Sequence, residues 1–223
     1  MNIVLLGAPG SGKGTQAKVL AGKYGLAIIS TGDILRGEVQ KKSQLGRKIE
    51  SYMNGGELVP DEVVIEVIRS RLTGERGFIL DGFPRNLAQA KALKKMLTGL
   101  GKDLNGVVYF KVGQEELVRR LSYRRVCSKC HTVYHLISEP PNNEDICDVC
   151  GGRLFQREDD KPSSVKRRFE VYLKETTPLI SFYEEAGLLR VVNGEESQEN
   201  VRLEVQKIVS GAQKNGREQL SPQ

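Results

Sequence analysis

Gly7-Ala8-Pro9-Gly10-Ser11-Gly12-Lys13-Gly14-Thr15 follows the apolar run Asn2 to Leu6 and opens a segment of helical character from about Gly14 to Lys23. A glycine-rich turn between a buried strand and a helix, closed by a lysine, is the setting a phosphate-binding loop requires. Glycines let the backbone curl so that its N–H groups face phosphate oxygens, and the following helix adds its positive end. Lys13 supplies a mobile cation for the outer phosphates. Gly10, Ser11, Gly12, Lys13, Gly14 and Thr15 are therefore candidate contacts to a nucleoside triphosphate. The stretch departs from the general pattern at one place. Gly14 stands where a serine or threonine ordinarily follows the lysine, and Thr15 comes next. Thr15 is thus expected to meet phosphate or magnesium differently from the usual hydroxyl. Without its context, the same stretch would read as a turn.

Outward from this loop the chain alternates. Ala27-Ile28-Ile29 reads as a second strand, and residues 33–73 as mostly helical with a break at Asn54-Gly55-Gly56. Pro60 suits a first helical turn, where Asp61 and Glu62 favour the positive end. Val64, Ile68 and Leu72 then form an apolar stripe. Phe78 to Leu80 is a strand ending at Asp81-Gly82, residues 87–98 a helix, and Val107 to Val112 a strand. Gln114 to Arg125 reads as a helix with Leu117 and Leu121 on one face, Leu188 to Val192 as the last strand, and 196–210 as the last helix. Such alternation predicts a parallel sheet covered by helices on both faces. The polar end, Gln213 to Gln223, is expected to fray.

A chain of 223 residues with a hydrophobic fraction of 39% can bury one sizeable core. It shows neither a signal peptide nor an apolar run near the ~20 residues of a membrane span, which points to the cytoplasm and away from membrane partners. The net charge of +6 fits a basic surface, a nucleic-acid binder, or an enzyme that gathers arginines around phosphates. The basic residues fall at scattered motif positions as well as in the runs Arg119-Arg120, Arg124-Arg125 and Lys166-Arg167-Arg168, which favours the third.

Residues 126–160 break the rhythm and hold all four cysteines. Cys127, Cys130, Cys147 and Cys150 make two Cys-x-x-Cys knuckles, the spacing of a structural Zn²⁺ site. Four thiolates close the tetrahedron and leave no position for substrate. His131 and His135 are near but not needed. Two disulfides or free thiols are the competing reading, disfavoured in a cytosolic chain. By itself a basic zinc ribbon also suits nucleic acid. Residues 139–150 are acidic, however, and no dense basic face interleaves with Tyr134 and Phe155.

Four segments in order along residues 1 to about 195 resemble adenylate kinases: the phosphate loop, Ser30-Thr31-Gly32-Asp33-Ile34-Leu35-Arg36, Asp81-Gly82-Phe83-Pro84-Arg85, and Arg157-Glu158-Asp159-Asp160 followed by Arg168. The resemblance implies roles. Thr31 and Arg36 would hold AMP, Glu57, Leu58 and Val59 would line its pocket with backbone, and Gly82, Phe83, Pro84, Arg85 and Gln89 would complete it, with Gln89 on the adenine edge. Arg120 and Arg124 would reach ATP from the hinge side of a lid, Val133 and Tyr134 from the lid itself, and Glu196 through its backbone. Arg157 and Arg168 would close on the phosphates exchanged. Asp81, at a strand end, is where a phosphate-loop protein places the acid that holds Mg²⁺, directly or through water. Lys13, Asp81, Arg85, Arg124, Arg157 and Arg168 make up the implied catalytic set. Taken singly, Arg36, Arg120 and Arg124 could be solvated helix positions, Asp81 a turn former and Gln89 surface.

The expected architecture is an α/β phosphate-loop kinase with a central parallel five-stranded sheet. Its core comprises 1–29, 60–122 and 161–223, with an AMP-binding helical segment at 30–59 and a zinc-binding lid at 123–160. The implied reaction is Mg²⁺-ATP + AMP ⇌ 2 ADP, carried out by a monomer. Asn86, where many bacterial adenylate kinases carry threonine, keeps a uridylate/cytidylate kinase of the same superfamily as the alternative.

Overall fold

The computed structural model describes residues 1–218, with side chains to 211. Five parallel strands form the central sheet: β1 (Asn2–Gly7), β2 (Ala27–Ser30), β3 (Phe78–Asp81), β4 (Gly106–Lys111) and, last in the chain, β8 (Leu189–Asn193). Their order is β2-β3-β1-β4-β8. Register runs Leu5 opposite Asp81 on one side of β1 and Leu5 opposite Val108 on the other. β1 is thus central, and its C-terminal end opens where the connections leave in opposite directions. That is where open α/β sheets bind ligands.

Alternation along β1 divides the core. Val4 and Leu6 face a layer with Ile68, Phe83, Leu93 and Leu179. Ile3 and Leu5 face the other way, onto Ala17, Leu20, Val201, Val205 and Val209. The first layer draws on helices α4 (Asp61–Leu72), α5 (Leu87–Gly99) and α8 (Pro178–Glu185), the second on α1 (Lys13–Tyr24) and α9 (Gln198–Glu218). Both faces are sealed, which explains why the strands read as continuous apolar runs. Among the described residues no helix is long and apolar enough to cross a membrane.

Several elements differ from the sequence expectation. The helical stretch 33–73 breaks twice, since α2 (Thr31–Gln40) and α3 (Gln44–Gly55) are separate. Ser43 starts α3 by accepting the Gly46 N–H at 2.9 Å. The helix expected to reach Arg125 stops as α6 (Gln114–Ser122), and Arg124–Cys127 is strand β5. The reason is tertiary: β5 pairs with β6 (Val133–His135) and β7 (Leu154–Phe155) in a small antiparallel sheet, which buries Val126 and Cys127. Residues 161–187, unassigned from sequence, hold α7 (Pro162–Val171) and α8 joined by one π-helical turn, Tyr172–Thr176. Prolines in the first turns of α7 and α8 were their available signal. The last helix continues to Glu218, past the Gln213 at which fraying was expected, and 219–223 lie outside the described residues.

α2 and α3 cross at Gly46, which is buried. A Cβ there would run into the carbonyl of Glu38 and crowd the amide of Val39. Backbone cannot yield as a side-chain tip can, so Gly46→Ala should cost about 1–3 kcal/mol. Calorimetry should show an unfolding temperature several degrees below the parent's. An unchanged transition would mean that the two helices do not hold this contact.

Candidate active site

The loop after β1 turns through Gly10 (φ 86°) and Gly12 (φ 92°), conformations that a side chain resists. Gly12 caps α1 without a side-chain oxygen, so the first-turn N–H groups remain available to a ligand. Lys13 Nζ donates to the carbonyls of Gly7 and Ala8, each at 2.8 Å, and to Ser11 Oγ at 3.2 Å. Burial pulls its pKa down to about 8, although the carboxylate of Asp81 opposes this. A Cβ at Gly14 would meet Asp81 Oδ2 at 3.5 Å. The acid at the end of β3 therefore stands directly against the start of α1, where the missing hydroxyl would have been.

Arginines converge on this loop from several elements. Arg36 comes from α2, Arg85 from the turn after β3, Arg124 from β5, and Arg157 and Arg168 from the base of the small sheet and α7. Carboxylates hold four of them, while Arg85 Nε donates to the Gly82 carbonyl at 2.9 Å. Asp160, buried, accepts from Arg124 Nε at 2.7 Å and again from Arg124 Nη2, and from Arg168 Nη1 at 3.1 Å. Asp159 stands 3.2 Å from Arg168 and 3.6 Å from Arg36. Asp33 stands 2.6 Å from Arg36 and 3.6 Å from Arg157. Burial, then the charge of Arg168, pulls Arg85 down to about 10, and burial, then Arg36, does the same to Arg157. Both remain cations at neutral pH. Six cations against four carboxylates leave the cleft positive, an arrangement suited to polyphosphate.

A cleft of about 1020 Å³ is lined by the whole phosphate loop from Gly10 to Thr15, and by Asp81, Gly82, Pro84, Arg85, Arg120, Arg124, Arg157, Arg168 and Glu196. Val133 and Tyr134 also line it. Tyr134 is mostly buried, however, and its hydroxyl turns to Cys147 Sγ at 3.4 Å and accepts the Asp148 N–H at 2.9 Å. A narrower pocket adjoins, lined by Thr31, Arg36, Glu57, Leu58, Val59, Gly82, Arg85, Gln89 and Arg168. Gln89 is 1% exposed, not surface, so its bland reading fails. Phe83 lies in neither cavity, and its side chain is core.

Sequence reasoning missed the groups that hold the arginines. Asp33, Asp159 and Asp160 stand inside the family motifs, but nothing in their spacing marks them as partners of distant arginines. Glu116 binds Arg119 and Arg120 at 2.7 and 2.6 Å, and the Arg119 bond leads in pulling its carboxyl down to about 2. Thr176, on the π turn, donates to the Arg85 carbonyl at 2.8 Å. A π turn at such a place is a frequent functional device, but its hydrogen-bond pattern leaves no mark in composition.

The four cysteines are brought together. Cys127 and Cys150 sulfurs are 3.4 Å apart, Cys130 and Cys147 sulfurs 3.5 Å, far beyond a disulfide's ~2.05 Å. They approach the ~3.8 Å edge of a tetrahedron built on ~2.3 Å metal–sulfur bonds. The knuckles are alike: His131 and Gly151, each following the second cysteine, have positive φ. Their N–H groups return to the carbonyls of Cys127 and Cys147 at 3.2 and 2.8 Å. Four thiolates this close repel one another unless a cation neutralises them. The set fits Zn²⁺. His131 and His135 stay outside it.

The sheet order, the loop at the end of its central strand and the arginine cleft define a phosphate-loop nucleotide phosphotransferase. A sequence-family model described as adenylate kinase matches residues 5–188. Curated adenylate kinases are similar over nearly their whole length. That of Archaeoglobus fulgidus is 51% identical over 94% of this chain and 98% of its own. That of Caldicellulosiruptor saccharolyticus is 48% identical over 94% and 99%, and that of Bacillus licheniformis 45% over 96% and 100%. The chain belongs to the adenylate kinase family.

Burial pushes the Asp159 carboxyl up, but the charges of Arg168, Arg36, Arg124 and Arg157 outweigh it and leave its pKa below 3.8. A depressed acid contributes stability that is complete above its unfolded value and lost as pH falls through the folded one. Melting temperatures of the parent and Asp159→Asn should therefore differ by a constant amount down to about pH 4 and converge below it. A difference that persists at about pH 2 would show that the carboxylate's charge is not what stabilises.

The zinc reading separates stability from chemistry. The parent should carry about one tetrahedral zinc per chain by elemental analysis and metal spectroscopy. Cys130→Ser with Cys150→Ser should lose it and unfold at a lower temperature, yet keep much of its transfer rate when cold. A parent without such a metal defeats the assignment. A folded, inactive mutant would show that the metal acts beyond scaffolding.

Proposed function

We propose that this protein moves a phosphoryl group from Mg²⁺-ATP to AMP, reversibly, giving two ADP. The observation that carries the proposal is the convergence of Lys13, Arg36, Arg85, Arg124, Arg157 and Arg168 on one cleft beside Asp81. Phosphoryl transfer asks little covalent chemistry of a protein. It asks for two anionic groups in line and for their charge to be neutralised.

ATP takes the loop from Gly10 to Thr15, with Lys13 on its outer phosphates and Arg120 and Arg124 beside them. Val133, Tyr134 and the backbone of Glu196 complete its site. AMP takes the narrower pocket, its phosphate held by Arg36 and Arg85 and its base beside Thr31 and Gln89. Glu57, Leu58, Val59 and Gly82 form the walls, and Phe83 and Pro84 support them from the turn. An AMP phosphate oxygen attacks the γ-phosphorus. The bond from that phosphorus to the β–γ bridging oxygen breaks, and the electron pair stays on ADP. Arg157 and Arg168 neutralise the charge that spreads over the transferred group. Asp81 is the residue that would hold the Mg²⁺ of the nucleotide, which would supply further positive charge for that neutralisation.

Residues 1–29, 60–122 and 161–223 serve as the frame, 30–59 as the AMP-binding piece and 123–160 as the lid. Closure of both pieces keeps water from the γ-phosphate. The ion pairs Arg36–Asp159 and Asp33–Arg157, which join the two pieces, support this reading. Zn²⁺ on Cys127, Cys130, Cys147 and Cys150 holds the lid together. The chain works as a monomer, since one copy supplies every group named, and the four unpaired cysteines suit the reducing cytoplasm. The acidic stretch of the lid argues against nucleic acid as a partner.

A coupled assay offering AMP, CMP, UMP and GMP should show AMP preferred. Lys13→Ala should lower turnover by about 10²–10³-fold in a folded protein. Arg36→Ala should raise the AMP requirement about 10- to 100-fold and leave that for ATP nearly unchanged. Faster turnover of CMP or UMP would favour the pyrimidine alternative. An Arg36→Ala defect confined to ATP would reverse the two sites.

A further inference from the structure

Asn86, which stands where many bacterial adenylate kinases carry threonine, lines neither cavity. It caps α5, where its Oδ1 accepts the Gln89 N–H at 2.9 Å. That fixes its amide, so its Nδ2 faces Asp61 and donates to both carboxylate oxygens, at 3.0 and 3.1 Å. Asp61 opens α4, where the helix end favours its negative charge. The same carboxylate accepts from Gln89 Nε2 at 2.7 Å, while Gln89 Oε1 accepts the Arg85 backbone N–H at 2.8 Å. Turning the Gln89 amide over would set its oxygen against the Asp61 carboxylate and its NH₂ against the Arg85 N–H. Both bonds would become repulsive contacts, so the orientation is locked.

An amide side chain has two N–H donors and two acceptor positions. One of each is spent on Asp61 and Arg85. One N–H and one lone pair remain, and Gln89 is a wall of the narrower pocket near Thr31, Val59 and Val64. We propose that Asp61, clamped by Asn86, is a specificity-determining positioning residue. By fixing the Gln89 amide it selects acceptor bases that present an amino group beside a ring-nitrogen acceptor, and it rejects those that present a keto oxygen beside a ring N–H. Adenine has the first edge, and hypoxanthine, nearly the same in size and shape, has the second. The inference rests on the narrower pocket being the acceptor nucleotide's. It also gives Asn86 a role unconnected with pyrimidines.

Asp61→Asn nearly preserves shape, but its side chain can donate as well as accept, so it no longer opposes the turned-over Gln89 amide and only the Arg85 N–H still holds the native orientation. With AMP and IMP as acceptors at saturating ATP, the parent should prefer AMP strongly in kcat/KM. The variant should lose at least about 10-fold of that ratio, because rejection of the wrong edge depends on unpaired polar groups. The change should fall on the KM values of the two acceptors, in opposite directions, with the KM for ATP unmoved. Asn86→Ser keeps a good helix cap and removes only the clamp on Asp61. It should shift the ratio the same way by a smaller factor, and it guards against a folding defect in the first variant. An unchanged AMP/IMP ratio in both folded variants overturns the inference. So does an equal rise of both KM values, which would signal a damaged pocket and not a released amide. A parent that uses neither acceptor defeats the acceptor-site reading itself, and this inference with it.

Discussion

Like charges held close together are the constraint on which this structure depends. Five arginines and Lys13 meet in one cleft, and uncompensated they would drive it apart. Asp33, Asp81, Asp159 and Asp160 offset part of that repulsion; Asp33, Asp159 and Asp160 fix where Arg36, Arg124, Arg157 and Arg168 point, and the Gly82 carbonyl fixes Arg85. Asp160 is the strongest instance, buried and binding both Arg124 and Arg168. The remaining excess of positive charge is what a polyphosphate satisfies. A site built this way is oriented before substrate arrives, because the carboxylates hold the donors in place.

The rest of the fold serves that convergence. A parallel sheet with both faces sealed gives β1 a rigid end from which the phosphate loop springs, and β3 delivers Asp81 beside it. The small sheet brings Arg124 and Arg157 in from outside the core. It has a buried cluster of only Cys127, Tyr134, Cys147 and Leu154, too few apolar groups to hold three short strands. The four sulfurs gathered there form a set that could bind a metal, the kind of staple that supplies cohesion where apolar area is short. Tyr134 joins the two roles, with its ring in that cluster and its edge on the cleft.

Polar order reaches beyond the charged centre. The Asp61–Asn86–Gln89 network ties the start of α4 to the start of α5 and sets the face of an amide. Helix capping, usually a matter of stability, here also positions a side chain in a pocket. The threonine of the π turn does similar work for the Arg85 backbone.

Much of this was legible in the residues alone. The order of strands and helices, the loop's phosphate chemistry and the four-cysteine set follow from local pattern, since each is encoded in contiguous spacing: apolar periodicity, glycines before a lysine, paired Cys-x-x-Cys. The residues that the family motifs singled out, Arg36, Arg85, Arg157 and Arg168, line one cleft. What the sequence could not decide was partnership between distant residues. The helix expected through Arg125 ends at Ser122 because β5 finds strand partners at Val133 and Phe155. Gln89, unremarkable on its helix, is buried because Asp61, 28 positions away, receives it. Asn86, a departure from the motif in sequence, caps α5 and donates to Asp61, a partnership that spacing along the chain does not show. Spacing along a chain determines local conformation, but hydrogen bonds and charges act through space. Only the tertiary structure could say which carboxylate would answer which arginine.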